Sequence, residues 1–219
     1  MEADVLYNII SNESFGEYEE KNSRFIARLM PVTSEEEAME YLSMIRKKYY
    51  DAKHNCYAMI IGSKMELVRS SDDKEPSGTA GKPILEVLNG ANLTNVIAVV
   101  TRYFGGTLLG TGGLVRAYSK AVKDALENCE ILSVAKCKNM EICIPYSLTD
   151  TLMSYFSKNN VTVTDTQYLE NVTFSIRFFS SQYDEILKDL QELTMGRARI
   201  EELKEGYYPI KNENNSIIK

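Results

Sequence analysis

The stretch of sequence that decides the fold of this chain reads Thr101-Arg102-Tyr103-Phe104-Gly105-Gly106-Thr107-Leu108-Leu109-Gly110-Thr111-Gly112-Gly113. Residues 95–100 before it form a short apolar run rich in β-branched side chains, a pattern typical of a buried strand. The residues after it place apolar side chains at helical spacing: Leu114, Ala117, Tyr118, Ala121, Val122 and Ala125. The sequence therefore predicts a strand, a loop that holds five glycines, and a helix.

This glycine-rich loop has the chemistry of an anion site. Glycine allows positive φ and close approach of the backbone to a ligand. A helix start leaves N–H groups unpaired and carries partial positive charge. Arg102 enters the loop and Arg116 leaves it. The glycine spacing matches neither the dinucleotide fingerprint nor the Walker P-loop, so an anion or backbone-phosphate site and a purely structural turn both stay open.

A second polar stretch, residues 71–83, lies upstream and precedes another apolar run. Pro83 fits the first helical position, where its missing N–H costs nothing. Ser77, Thr79 and Lys82 could surround this helix start with hydroxyl groups and a cation. The alternative is a surface loop with good turn and capping residues.

Together the two stretches resemble the signatures of the IMPACT/YigZ family. The first signature corresponds to residues 72–85 and the second to residues 90–110, and the resemblance extends back to Ser23-Arg24-Phe25-Ile26-Ala27 and His54-Asn55-Cys56-Tyr57-Ala58. It covers most of the first 130 residues. Lys74 is the main departure, because the family pattern leads us to expect glycine in this acidic turn.

We expect the two signatures to converge on one anion-binding or nucleic-acid-binding face. The residues predicted for it are Ser77, Gly78, Thr79, Lys82, Arg102, Gly105, Gly106, Thr107, Gly110, Thr111, Gly112 and Arg116. Tyr103 and Phe104 could stack on a base there, or pack into the core.

Four further residues are candidates for acid–base or metal chemistry. His54 is the single histidine and could act in proton transfer, or it could be a hydrogen-bonded structural residue. Asp72, Asp73 and Glu75 could hold a magnesium ion together with a phosphate, or form a solvated turn. We assign no catalytic residue, no resident metal and no cofactor from the sequence.

Composition indicates a globular protein without bulk basic character. The 219 residues are 44% hydrophobic and 26% charged, and the formal net charge is −6. Residues 69–123 nevertheless hold seven basic and four acidic side chains, so a local basic face is possible. Four cysteines without zinc-like spacing are expected to be buried thiols. With no signal peptide or membrane span in the sequence, we expect a cytoplasmic protein that does not bind membranes.

The pattern of elements predicts an α+β protein of two domains, residues 1–133 and 136–211, followed by a polar tail at 212–219. The first domain is predicted to be a β-sheet covered by helices on one side. The second has the order βαββαβ of a ferredoxin-like sandwich, with its last strand at 198–208. The family resemblance implies that the first domain is like the second domain of a small-subunit ribosomal protein. It also implies that the second is like the last domain of elongation factor G.

Three functions are compatible with these features. Eukaryotic relatives with the same N-terminal domain regulate the starvation-responsive translation kinase through its activator protein. The resemblance therefore favours a translation-linked regulator that binds RNA, the ribosome or a protein of the translation machinery. The alternatives are a small enzyme acting on a phosphorylated substrate at the glycine-rich loop, and a pure protein-interaction module. The balance is against an enzyme, and the sequence makes no prediction of the oligomeric state.

Overall fold

The computed structural model of the protein describes residues 5–211 and 216–217. They divide into an N-terminal unit, Tyr7–Ile131, and a C-terminal unit that comprises the described residues from Leu132 onward together with Val5 and Leu6. The sequence analysis predicts domains at residues 1–133 and 136–211, and that division stays a prediction. Independent folding of the two units stays a prediction.

The N-terminal unit contains a five-stranded antiparallel sheet with three helices. Its elements are β1 (Val5–Ile10, which begins in the other unit), β2 (Ser14–Glu20), β3 (Ser23–Pro31), α1 (Glu35–Lys48), β4 (His54–Ile61), β5 (Leu67–Ser71), α2 (Gly81–Gly90), β6 (Val96–Tyr103) and α3 (Gly110–Glu127). The strand order in the sheet is β2-β3-β6-β4-β5, with β6 in the centre. The predicted strand, glycine loop and helix are therefore β6, the loop 104–109 and α3.

Both faces of this sheet are covered, which corrects the expectation of helices on one side. Alternate residues of β6 point to opposite faces: Ala98 and Val100 pack with α2 and α3, whereas Ile97 and Val99 pack with α1. A central strand buried on both faces needs a continuous apolar run instead of alternation, and residues 96–100 have one.

Helix α1 begins with a capping box. The Ser34 hydroxyl accepts a hydrogen bond from the Glu37 N–H at 3.2 Å, and the Glu37 carboxylate accepts one from the Thr33 N–H at 2.7 Å. Three glutamates occupy the first turn and three basic residues the last, so the side-chain charges complement the helix dipole at both ends.

The C-terminal unit has the predicted ferredoxin-like core with additional strands. Its elements are β7 (Ile131–Ile144), α4 (Thr149–Lys158), β8 (Thr162–Tyr168), β9 (Val172–Phe179), α5 (Tyr183–Thr194), β10 (Arg199–Glu202), β11 (Gly206–Lys211) and β12 (Ser216–Ile217). The antiparallel pairs β10–β7, β7–β9 and β9–β8 give the order β10-β7-β9-β8.

The last predicted strand, 198–208, is two strands in the structure. β10 pairs with residues 140–143 of the long strand β7, and β11 pairs with residues 133–137 of the same strand. Of the predicted polar tail, Ser216–Ile217 forms β12, while residues 212–215 and 218–219 lie outside the described residues. Within the part of the chain that the structure describes, no helix has the length and apolar character needed to cross a membrane.

Candidate anion-binding site

A cavity of about 440 Å³ lies at the N-terminal end of α3, and we call it the α3 cavity. It is lined by Lys53, His54, Lys74, Glu75, Pro76, Arg102, Phe104, Leu108, Leu109, Gly110, Thr111 and Leu114. The antiparallel pairing of β4 with β6 brings two of these residues together, because His54 lies opposite Arg102. With His54 neutral, three cations and one carboxylate line the cavity, a net charge of +2.

The N-terminus of α3 is open where it meets the cavity. Among the described residues, no side chain caps this helix, and its first turn contains no acidic residue. Gly110 begins the helix with a φ of +70°, a conformation that a side chain would strain. Gly110, Thr111 and Gly112 are exposed. The first-turn N–H groups and the positive end of the helix dipole are therefore available to an anion.

The N-terminus of α2 differs because the protein's own carboxylate occupies it. Asp72 accepts hydrogen bonds from the N–H groups of Gly78, Ala80 and Gly81 at 2.8–2.9 Å. Burial by itself raises the pKa of Asp72, but these three hydrogen bonds lower it below its ordinary value. An external phosphate at this helix end would have to displace a bound carboxylate.

The predicted residues of the first signature lie at this capped end and not among the residues that line the α3 cavity. The Thr79 hydroxyl donates to the Pro76 carbonyl at 2.7 Å. Lys82 is exposed, and its Nζ lies 3.9 Å from the Glu86 carboxylate. Ser77 and Gly78 are exposed in the turn. Of the residues predicted to form one face, Arg102, Gly110 and Thr111 line the α3 cavity, and none of those in the first signature does. The convergence of the two signatures on one site stays a prediction.

Arg102 is a buried residue and not a solvent-facing loop arginine. Its Nη1 donates to the Glu75 carboxylate at 2.6 Å, and the two side chains are 7% and 3% exposed. The guanidinium makes cation–π contacts with Phe25 and Phe104, at 5.4 and 5.6 Å from their ring centroids. Its Nε is buried without a hydrogen-bond partner among the residues that the structure describes. The arginine forms the floor of the cavity and is only partly satisfied by protein groups.

The Glu75 carboxylate is also held from the side of α3. Tyr118 Oη donates to it at 2.9 Å, and Cys56 Sγ lies 3.3 Å from Tyr118 Oη. Burial raises the pKa of the Cys56 thiol to about 12 and raises the pKa of Tyr118 above its ordinary value. Both groups are therefore neutral at physiological pH, and the charges of this network are those of Arg102 and Glu75.

Gly105 in the loop 104–109 has a structural role. The Gly105 N–H donates to Ser23 Oγ at 3.1 Å, and a Cβ on Gly105 would lie 2.0–2.3 Å from backbone atoms of Asn22 and Ser23. Gly106 and Thr107 are exposed and outside the cavity lining. Arg116 is exposed in the second turn of α3, with Nη1 3.8 Å from the position that a Cβ on Gly112 would take.

The residues predicted for acid–base or metal chemistry, His54, Asp72, Asp73 and Glu75, each bind different protein groups. His54 Nδ1 lies 2.9 Å from the Asp73 carbonyl oxygen. A carbonyl only accepts, so Nδ1 carries the proton. The other ring nitrogen of His54, Nε2, lies 4.0 Å from the Glu75 carboxylate. Asp73 accepts from the Asn55 N–H at 2.7 Å. Within residues 5–211 and 216–217, no group of three or more His, Cys, Asp or Glu side chains could hold a metal ion.

Several lining residues were not predicted as site residues. Lys53 directly precedes β4, whose first residue His54 lies opposite Arg102 of β6, and it lines the cavity. Lys74 was noted only as a departure from the family pattern; its φ of +72° explains why glycine is expected there. Phe104 is half exposed, consistent with base stacking, whereas Tyr103 donates to Asp51 at 2.7 Å.

Comparisons with known proteins cover both units. The profile described as the Impact N-terminal domain matches residues 21–126, and one described as a domain of unknown function, DUF1949, matches residues 142–197. IMPACT family member YvyE of Bacillus subtilis is 36% identical over 200 residues, covering 90% of this chain and 92% of that protein. IMPACT family member YigZ of Escherichia coli is 45% identical over 108 residues, covering 48% and 53% of the two chains.

A eukaryotic relative and a solved structure extend these comparisons. Protein IMPACT of Oryctolagus cuniculus is 35% identical over 95 residues, covering 42% of this chain and 30% of that protein. A crystal structure described as that of a hypothetical protein is 28% identical, with a TM-score of 0.57, covering 90% of this chain and 97% of the other. YvyE is 36% identical to this chain over 90% of its length, which is sufficient to assign the family. The chain belongs to the IMPACT family.

Proposed function

We propose that this chain is a translation-linked regulator that binds single-stranded RNA through the α3 cavity. The observation that carries the proposal is the uncapped, glycine-rich N-terminus of α3, which opens onto a cavity of net charge +2. The link to translation comes from the family resemblance. The preference for RNA over a protein partner comes from the combination of phosphate-binding and base-stacking groups in one cavity.

The phosphate would be bound by backbone and side-chain donors together. The first-turn N–H groups of α3 provide directional donors, and Lys53 and Lys74 are exposed at the cavity and provide charge. The protein as a whole is acidic at −6, so attraction of a polyanion must come from this local positive potential. Binding is therefore expected to be modest and sensitive to salt.

The base would be bound by the apolar wall. Phe104 is 50% exposed and Leu108 is 82% exposed, and both line the cavity. Aromatic stacking is sequence-tolerant, because every base has a π-face. Exposed apolar side chains beside phosphate donors are a common feature of proteins that bind single-stranded nucleic acid without base specificity.

The test is fluorescence anisotropy of a labelled ten-nucleotide RNA at several salt concentrations. For two or three phosphate contacts we expect a dissociation constant on the order of 1–100 μM at physiological salt, and a log–log salt slope of roughly −1.4 to −2.1. Lys74→Gly should lower the affinity for all sequences alike and flatten the slope by about 0.7. Glycine relaxes the positive φ at this position, so the variant should remain folded.

Lys47→Ala is the matched control. It removes the same charge from an exposed position on α1, the helix that covers the opposite face of the sheet. Its affinity and salt slope should equal those of the wild type. Absence of salt-sensitive binding by the wild type would remove the RNA proposal, and equal effects of the two substitutions would remove the α3 cavity as the site.

One observation favours a second candidate, an enzyme that acts on a phosphorylated substrate. His54 lines the cavity with Nδ1 fixed by the Asp73 carbonyl, so Nε2 has a lone pair that could accept a proton. If this candidate is correct, a nucleotide or RNA substrate should be turned over, and His54→Gln should abolish turnover while leaving binding intact. No change of a phosphorylated RNA after prolonged incubation would exclude this activity on RNA.

A further inference from the structure

We propose that the α3 cavity recognises a terminal phosphomonoester, in particular the 5′-phosphorylated end of an RNA strand, in preference to an internal phosphodiester. This inference rests on the proposed RNA-binding function and specifies which part of the RNA enters the site. It follows from the charge of the cavity, its donors and its size.

The charge of the cavity matches a dianion. Lys53, Lys74 and Arg102 are offset by Glu75 alone among the lining residues, and the helix terminus adds roughly half a positive charge. A phosphomonoester carries roughly −1.5 to −2 charges at pH 7, whereas an internal phosphodiester carries one. The Glu75 carboxylate is held by Arg102 and Tyr118 and does not require a ligand cation.

The donors suit a group with three terminal oxygens, as a phosphomonoester has. The cavity is lined by the uncapped start of α3 and by the exposed lysines Lys53 and Lys74. Arg102 provides an independent indication of a ligand at this end of α3. Its side chain is more than nine-tenths buried and lines the cavity, yet its Nε has no partner among the described residues. Buried guanidinium donors are ordinarily satisfied.

The size of the cavity favours a chain end. A volume of about 440 Å³ is near the lower limit for small-ligand pockets and accommodates about one nucleotide. The buried Arg102–Glu75 pair closes the floor. An internal phosphodiester would require the strand to enter and leave through this limited space, whereas a 5′ end needs only to enter. The 5′ phosphate would meet the α3 amides, and its base would meet Phe104 and Leu108.

The experiment compares two RNAs that differ only at the 5′ end. A ten-nucleotide RNA labelled at the 3′ end is prepared with a 5′ phosphate or a 5′ hydroxyl, and anisotropy is measured with the full-length protein. The phosphorylated RNA should bind about tenfold more tightly, the effect of one additional charge-assisted contact. Lys74→Gly should reduce this preference, and Lys47→Ala should retain it.

The outcomes separate the inference from the proposed function. Equal binding of the two RNAs would overturn the inference and leave RNA binding intact, whereas binding of neither would overturn both. Competition by AMP and adenosine identifies the source of the phosphate. Displacement by AMP but not by adenosine supports phosphomonoester recognition. If AMP competes as strongly as the phosphorylated RNA itself, the ligand is a free nucleotide, and the RNA proposal is overturned.

Discussion

The buried Arg102–Glu75 pair provides a sharp prediction about stability. Arg102→Met keeps much of the side-chain volume but removes the charge, leaving the Glu75 carboxylate 97% buried beside Tyr118 without its cation. Leaving one charge of a buried pair uncompensated costs about 3–5 kcal/mol of the free energy of unfolding. The exposed pair Arg24–Glu17 is the matched control, and Arg24→Met should cost no more than about 1 kcal/mol.

The double substitution Arg102→Met/Glu75→Gln completes the cycle. Removing both charges eliminates the uncompensated carboxylate, so the double variant should be more stable than Arg102→Met by about 1–3 kcal/mol. The chain contains no tryptophan and has two units, so a single fluorescence transition is not suitable. Hydrogen exchange of β6 and α3 peptides, measured by mass spectrometry across a urea series, reports on this unit directly.

Two results would refute this reasoning. A loss of less than about 1 kcal/mol for Arg102→Met would mean that the Glu75 charge is solvated in solution. Strictly additive effects of the two substitutions would mean that the side chains do not interact. Because Arg102 is buried in this ion pair, Arg102→Ala is a poor test of phosphate binding. A loss of affinity in that variant could reflect a loss of folded protein. Exposed Lys74 avoids that ambiguity.

Two further predictions follow from backbone contacts. Gly105→Ala should destabilise the N-terminal unit by about 1–3 kcal/mol, because its Cβ would overlap the backbone of residues 22–23. Gly90→Ala, where a Cβ meets open space, should change the stability by no more than about 1 kcal/mol, and the same hydrogen-exchange series compares the two variants. Asp72→Asn should cost about 1 kcal/mol at pH 7, as for a lost helix cap. Because the pKa of Asp72 is lowered, its contribution is present above its ordinary pKa of 3.8 and is lost as the pH falls through the folded pKa. The stability gap between wild type and variant should therefore close at acidic pH, and a gap that persists would contradict the capping role.

Much of the fold could be predicted from local patterns. The apolar run at 95–100 and the helical spacing after Gly113 form the expected strand and helix. The position of α1 on the opposite face could not be predicted, because side-chain spacing shows that a strand is buried on both faces but not which helix covers each face. The split of the last strand into β10 and β11 depends on how a long partner, β7, is shared between them.

The candidate site was harder to predict, because its chemistry depends on partners distant in sequence. The sequence shows that Arg102 is a cation beside a glycine loop, but not that Glu75 neutralises it from 27 residues away. It likewise shows an acidic turn at 72–75 without showing that Asp72 occupies the N-terminus of α2, where the sequence analysis expects an anion. Lys53 and Lys74 reach the cavity through the pairing of strands and the shape of a turn, which local patterns do not encode.

The central claim is that the open end of α3, and not the capped end of α2, binds a phosphate. The most direct measurement is an NMR titration of ¹⁵N-labelled protein with the 5′-phosphorylated RNA. We expect saturable shifts of the amide signals of Gly110, Thr111 and Gly112, with little change at Gly78 and Gly81, whose N–H groups Asp72 already holds. Shifts at Gly78 and Gly81 without shifts at residues 110–112 would contradict the account.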